Sequence, residues 1–135
     1  MTSSTARYWR EFPARYNLLG VECGNCSQVY FPPRHICPNC TRRSIGKMRS
    51  KKLSGEGEVF SFTVVHDPHP DYAMQVPYVM ALVRMKEGID VLGQVVDCET
   101  KQVEIGTRVK VCFRKLREEG ESGLIHYGYK FALAE

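Results

Sequence analysis

The second part of the chain alternates apolar and polar residues with the two-residue period of half-buried strands. Phe60, Phe62 and Val64 alternate with Ser61 and Thr63, and Val109, Val111 and Phe113 alternate with Arg108, Lys110 and Arg114. Near the end, Ile125, Tyr127, Tyr129 and Phe131 alternate with His126, Gly128 and Lys130. Two apolar runs, Tyr78 to Met85 and Ile89 to Val96, are joined by Lys86-Glu87-Gly88, the pattern of a hairpin with glycine at its turn. Five strands and no long helical period predict a small closed barrel of the oligonucleotide/oligosaccharide-binding (OB) type, because closure removes exposed sheet edges. A β-sandwich competes, but five strands are few for one. This phasing puts Phe60, Phe62, Tyr127 and Tyr129 on the core face and His126 on the surface. Gly93 and Gly128 are expected at the barrel's corners. The stretch His66 to Pro77, with Asp67-Pro68-His69-Pro70, is expected as the longest irregular loop.

The first part reads differently. Tyr8, Phe12 and Tyr16 recur every four residues with Trp9 beside them and Arg7, Arg10, Glu11 and Arg15 between, which predicts a short amphipathic helix broken around Pro13. Such an aromatic stripe packs on the chain's own body or docks on another protein, where Trp, Tyr and Arg are favoured anchors. Tyr8, Trp9, Phe12 and Tyr16 are therefore the candidate docking residues. Next come Cys23-x2-Cys26 and Cys37-x2-Cys40, with Val29-Tyr30-Phe31 as a short strand and Pro32-Pro33 as a rigid turn between them. Two such knuckles facing each other complete a tetrahedral thiolate cage with no open position, which makes the site structural. Zinc is favoured. An iron site of the rubredoxin kind uses the same ligands, and disulfides are disfavoured because Arg7, Arg10, Glu11 and Arg15 interrupt any signal-peptide-like apolar core. A segment this short buries too little apolar surface to fold alone, so metal binding becomes its folding free energy. The resulting layout is a leader at residues 1–17, a zinc ribbon at 18–45, a polar linker at 46–55 and the barrel at 56–135.

Composition adds one asymmetry. The chain of 135 residues is 43% hydrophobic and 25% charged, ordinary for a folded domain, with a net charge of +4. Residues 1–53 hold 10 Lys+Arg against 2 Asp+Glu, or +8, while residues 54–135 hold 9 against 13, or −4. Four thiolates on a divalent ion carry −2, so the corrected excess in the first half is +6. Arg34, Arg42, Arg43 and Lys47 are the candidate anion-facing residues within it, for phosphates such as those of coenzyme A. No apolar run is long enough to span a membrane, and a cytoplasmic location is expected.

Catalytic patterns are absent from the sequence: no Gly-x-Ser-x-Gly turn, phosphate-binding glycine loop or His-Glu-x-x-His helix occurs. His66, His69, Asp67 and Asp71 resemble metal ligands in type, but Pro68 and Pro70 hold the backbone extended and scatter them. His35 lies between the knuckles, where four thiolates already satisfy an ion. Cys98 and Cys112 fall in apolar stretches and read as small buried hydrophobes.

The strings Ala6-Arg7-Tyr8-Trp9-Arg10-Glu11, Cys23-Gly24-Asn25-Cys26, Tyr30-Phe31-Pro32-Pro33-Arg34 and Cys37-Pro38-Asn39-Cys40, followed by Ser54-Gly55-Glu56-Gly57, carry a resemblance. The chain resembles the zinc-ribbon and OB-fold acyl-CoA-associated proteins, a domain-of-unknown-function family whose members partner thiolase-fold enzymes. The archaeal members it looks most like bridge an acetoacetyl-CoA thiolase and a hydroxymethylglutaryl-CoA (HMG-CoA) synthase in the mevalonate route to isoprenoids; others accompany lipid-transfer thiolases, hydratases or aldolases. The resemblance implies a non-catalytic scaffold, one structural zinc on Cys23, Cys26, Cys37 and Cys40, and partner contact through leader and ribbon. The rival reading is a single-stranded nucleic-acid-binding module, since ribbons and OB barrels often bind strands through basic grooves lined with aromatics. The acidic barrel half and the inward phase of its aromatics argue against it.

Overall fold

The computed structural model describes residues 5–135, in two compact units: one holds the chain up to Ser54 with Glu87–Ile89, the other Gly55–Lys86 with Asp90–Glu135. In the first, helix α1 (Thr5–Asn17) precedes an antiparallel sheet of order β2-β1-β3, made of β1 (Leu19–Cys23), β2 (Val29–Tyr30) and β3 (Met48–Lys52). The helix is not broken at Pro13. That proline withholds one hydrogen bond, and Glu11 ties the turns on both sides by accepting from Arg7 Nε at 3.1 Å and Arg15 Nε at 2.8 Å. Leu18, at φ 51°, then turns the chain into the sheet, and its carbonyl accepts from the Leu53 amide at 3.2 Å.

Residues 46–55, expected as a linker, contain β3, which pairs with β1 from Leu19↔Lys52 to Cys23↔Met48. The stretch looks like a linker because Arg49, Lys51 and Lys52 give this edge strand the polar composition that discourages further pairing. The apolar core of the unit is small: Tyr8, Leu18, Val21, Val29 and Leu53, with Cys23 and Cys37.

In the second unit all five expected strands form. They are β4 (Glu56–Val65), β5 (Tyr78–Met85), β6 (Asp90–Val96), β7 (Arg108–Glu118) and β8 (Ile125–Leu133), closed in the order β4-β5-β6-β8-β7. Val59, Val79, Ala81, Val83, Met85, Val91, Val95, Val109 and Phe131 fill the interior. Closure between β6 and β8 is parallel, through Val95↔Phe131 and Val96↔Ala132, and the Tyr129 hydroxyl extends it by donating to the Leu92 carbonyl at 2.9 Å. Gly93, expected at a corner, sits where an aromatic side chain closely approaches the backbone. A Cβ there would lie 2.6 Å from Phe131 Cε2, so the glycine makes room for a ring.

The phasing is corrected at two strands. A bulge between Val59 and Ser61 turns Phe60 outward, where it is 48% exposed and carries the Arg84 guanidinium 4.0 Å from its ring centroid. Phe62 returns to the face of Ala81 yet stays exposed, and Tyr127 and Tyr129 are half-buried. On β8, His126 is buried rather than superficial, and so is Lys130. The segment expected as wholly irregular holds a short 3-10 helix, Pro70–Gln75, that lies against β7. Lys130 Nζ and Gln94 Nε2 both donate to Gln75 Oε1, at 3.3 and 3.2 Å, and Arg117 reaches Asp71 at 3.6 Å. His126 Nε2 lies 2.9 Å from Glu119 Oε1. Burial pushes the Lys130 ammonium below its ordinary value.

Candidate metal centre

Each knuckle is built by the same local geometry. The Ser27 amide donates to the Cys23 carbonyl at 2.9 Å and the Thr41 amide to the Cys37 carbonyl at 2.8 Å. Ser27 (φ 60°) and Thr41 (φ 49°) both take the left-handed conformation directly after the second cysteine. These turns bring Cys23, Cys26, Cys37 and Cys40 together, with all four sulfurs within 4.8 Å of one another. β1 supplies Cys23, and its pairing with β3 lets the Gly24 amide donate to the Lys47 carbonyl at 2.9 Å. On the other knuckle, fully buried Ser44 accepts from the Cys37 amide at 2.9 Å and donates to the Thr41 carbonyl at 2.6 Å. Cys23 and Cys37 are fully buried, Cys40 partly, and Cys26 is exposed.

Hydrogen bonds converge on the sulfurs. Asn25 donates through its amide to Cys23 Sγ at 3.4 Å and through Nδ2 to Cys40 Sγ at 3.2 Å, and the Tyr30 hydroxyl lies 3.2 Å from Cys37 Sγ. That hydroxyl, with the Cys40 and Asn39 amides, holds the Cys37 thiol down to about 6, while the sulfur pushes the Tyr30 phenol up to about 12. The Cys26 and Asn25 amides hold Cys23 below its ordinary value. Against the Gln28 amide, which favours its thiolate, burial and the other three sulfurs push Cys26 up to about 12. Four thiols at this spacing thus share their charge unevenly, and a divalent cation is what lets all four ionise together. Four converging soft donors with amide and side-chain hydrogen bonds fit one structural zinc, which crosslinks two loops otherwise short of core.

The other expected site residues are placed as follows. Along α1, Tyr8 is only 6% exposed, Trp9 is 72% exposed, and Phe12 and Tyr16 are half-buried. The rings form a chain: Phe12 meets Tyr8 at 5.1 Å, Trp9 at 5.4 Å and Tyr16 at 4.6 Å between centroids. Arg34, Arg42, Arg43 and Lys47 are all exposed, with Arg42 and Arg43 on the 3-10 helix Thr41–Ser44 and Arg34 5.9 Å from the Tyr30 ring centroid. His66, His69, Asp67 and Asp71 form no metal-binding group among the described residues; His69 Nδ1 instead accepts from the Asp71 amide at 3.3 Å. Cys98 and Cys112 are half-buried, and burial raises both thiols. The supporting roles of Tyr30, Asn25 and Ser44 were missed in the sequence. Tyr30 had a signal, since it opens the Tyr-Phe-Pro-Pro-Arg string.

Fold and site define a zinc ribbon joined in one chain to an OB barrel. Comparison with known proteins agrees: residues 10–45 match the rubredoxin-like zinc ribbon domain of ChsH2 and residues 50–114 its C-terminal OB-fold domain. The chain belongs to the family of DUF35 domain-containing scaffold proteins, being 47% identical over 131 residues to one from Methanothermobacter thermautotrophicus, with 97% of each chain covered. It is 31% identical over 102 residues to a probable enoyl-CoA hydratase alpha subunit from Thermomonospora curvata, covering 76% of this chain and 31% of that subunit. Among solved structures, the Ltp2-ChsH2(DUF35) aldolase superposes with a TM-score of 0.71 at 26% identity, covering 100% of this chain and 98% of the other. No helix among the described residues is long and apolar enough to cross a membrane.

Proposed function

We propose that this protein is a non-catalytic scaffold subunit that bridges an acetoacetyl-CoA thiolase and an HMG-CoA synthase in the cytoplasm, on the mevalonate route. The observation that carries the reading is the 47% identity, end to end, to a protein named as a scaffold. The names of the hydratase subunit and the aldolase support partners among enzymes that handle acyl-CoA or related acyl substrates. In this reading Cys23, Cys26, Cys37 and Cys40 hold the zinc that shapes the ribbon. Trp9 is the foremost docking residue of the leader, with Phe12 and Tyr16 bracing it, because it alone of the four candidates is largely exposed. Arg34, Arg42, Arg43 and Lys47 give the ribbon an electropositive face for a partner's acidic surface or the phosphates of coenzyme A.

A scaffold has a physical use here. Condensation of two acetyl-CoA molecules is uphill, so holding the consuming enzyme beside the producing one favours onward use of the product. Strand binding stays the weaker reading. Its aromatic requirement is partly met, since Phe60 is exposed and Phe113, also 48% exposed, stacks on Tyr127 at 5.5 Å and 11°. The −4 balance of the barrel half opposes it. Gel filtration of the three purified proteins together at micromolar concentration tests the proposal: a single species containing all three is expected, and elution of this chain alone contradicts it.

A further inference from the structure

The Tyr30-Phe31-Pro32-Pro33-Arg34 string lies between the knuckles and supplies no zinc ligand. The geometry points to a role for Tyr30, together with Asn25, that goes beyond scaffolding: we propose that these two neutral donors set how tightly and how long the ribbon keeps its zinc. Both reach sulfur from outside the ligand set. The Tyr30 hydroxyl sits 3.2 Å from Cys37 Sγ, and Asn25 Nδ2 sits 3.2 Å from Cys40 Sγ. The two sulfurs served belong to the second knuckle, while both donors come from the stretch between Cys23 and Cys37, so each bond also ties one loop to the other.

A zinc tetrathiolate carries a net −2, and each donated proton withdraws charge from a sulfur without competing for the metal. That lowers repulsion among the thiolates and favours the closed tetrathiolate over a cage with one sulfur released. Tyr30 is itself held in position: β2 pairs it with Val21, and the Arg34 guanidinium lies 5.9 Å from its ring centroid. Cys26 is supported differently, by the Gln28 backbone amide rather than by a side chain from the other loop. It is exposed, and its sulfur lies 3.6 Å from Cys37 Sγ. Ligand exchange accordingly begins at Cys26, and the Tyr30 and Asn25 bonds keep the second knuckle closed while it does.

The test uses the full zinc-bound chain. Tyr30→Phe keeps the ring and removes only the hydroxyl, and Asn25→Ala removes the amide from an exposed turn. Zinc transfer to a chromogenic chelator is expected to quicken about tenfold in either variant and further in the double variant, in line with the usual cost of losing support around a metal ligand. The cobalt-substituted protein supplies a readout that loosened packing does not produce. With a donor removed, sulfur-to-cobalt charge transfer moves to lower energy while the tetrahedral ligand-field bands persist. Unchanged release rates overturn the proposal, and so does faster release with an unshifted charge-transfer band, because that result assigns the loss to packing alone. Tyr72→Phe, on the barrel, serves as the control and is expected to change neither readout.

Discussion

Gly93→Ala tests the packing that closes the barrel. The new methyl carbon would lie 2.6 Å from Phe131 Cε2, 2.7 Å from Cδ2 and 3.4 Å from Tyr129 Cε2. Carbon atoms normally approach to ~3.5 Å, so the overlap with the ring is about 0.9 Å. Phe131 has little freedom to give way, because it is completely buried and its strand is pinned by pairing to both Val95 and Val111. Overpacking of this kind costs roughly 1–3 kcal/mol. For a unit of this size each kcal/mol lowers the melting temperature by about 4–8 °C, so a central value near 2 kcal/mol predicts a drop of about 8–16 °C. Thermal unfolding followed by circular dichroism, with zinc held constant, measures it. Combining Gly93→Ala with Phe131→Leu removes the clashing ring and is expected to recover part of the loss, giving a coupling of roughly 1 kcal/mol in the double-mutant cycle. Melting of Gly93→Ala together with the parent protein would refute the reasoning, as would strict additivity of the two changes.

Two further outcomes follow from the first unit. Stripping zinc with a chelator is expected to unfold it, since structural zinc sites contribute about 10–16 kcal/mol of binding free energy that a core of five apolar side chains cannot replace. Proteolytic cleavage should then appear between residues 18 and 54 while the barrel's strand signal persists, and resistance to cleavage after zinc removal contradicts this. Trp9→Ala and Tyr8→Ala are expected to separate: the exposed Trp9 change alters stability by about 0.5 kcal/mol or less but weakens assembly, whereas truncating buried Tyr8 costs roughly 3 kcal/mol. A Trp9→Ala protein that assembles with undiminished affinity removes Trp9 from the docking surface.

The metal centre was legible because its information is local. Two Cys-x2-Cys spacings determine the knuckles, and the left-handed Ser27 and Thr41 follow from how each loop closes. The five strands were legible from period and length. What escaped depends on contacts distant in sequence. β3 looks polar enough for a linker until β1 is beside it, and His126 and Lys130 alternate like surface residues until Glu119 meets the one and Gln75 the other. The bulge at Phe60 leaves no mark in the alternation of Phe60, Ser61 and Phe62, yet it reverses the face of one aromatic and with it part of the case against strand binding. The stripe of α1 was right in spacing, but spacing does not say which ring faces the body; Tyr8 does, and Trp9 does not. The basic half likewise resolves by element: within residues 18–45, Arg34, Arg42 and Arg43 against Glu22 give +2, which the −2 of a zinc tetrathiolate cancels, so the net excess lies in the helix and in residues 46–53.

The central claim concerns partners, and isolating this protein from its own cells tests it most directly. Affinity capture under native conditions, followed by mass spectrometric identification and native mass measurement, is predicted to return acetoacetyl-CoA thiolase and HMG-CoA synthase together in a fixed stoichiometric ratio. Recovery of neither enzyme, or of a different acyl-CoA enzyme in their place, contradicts the bridging role.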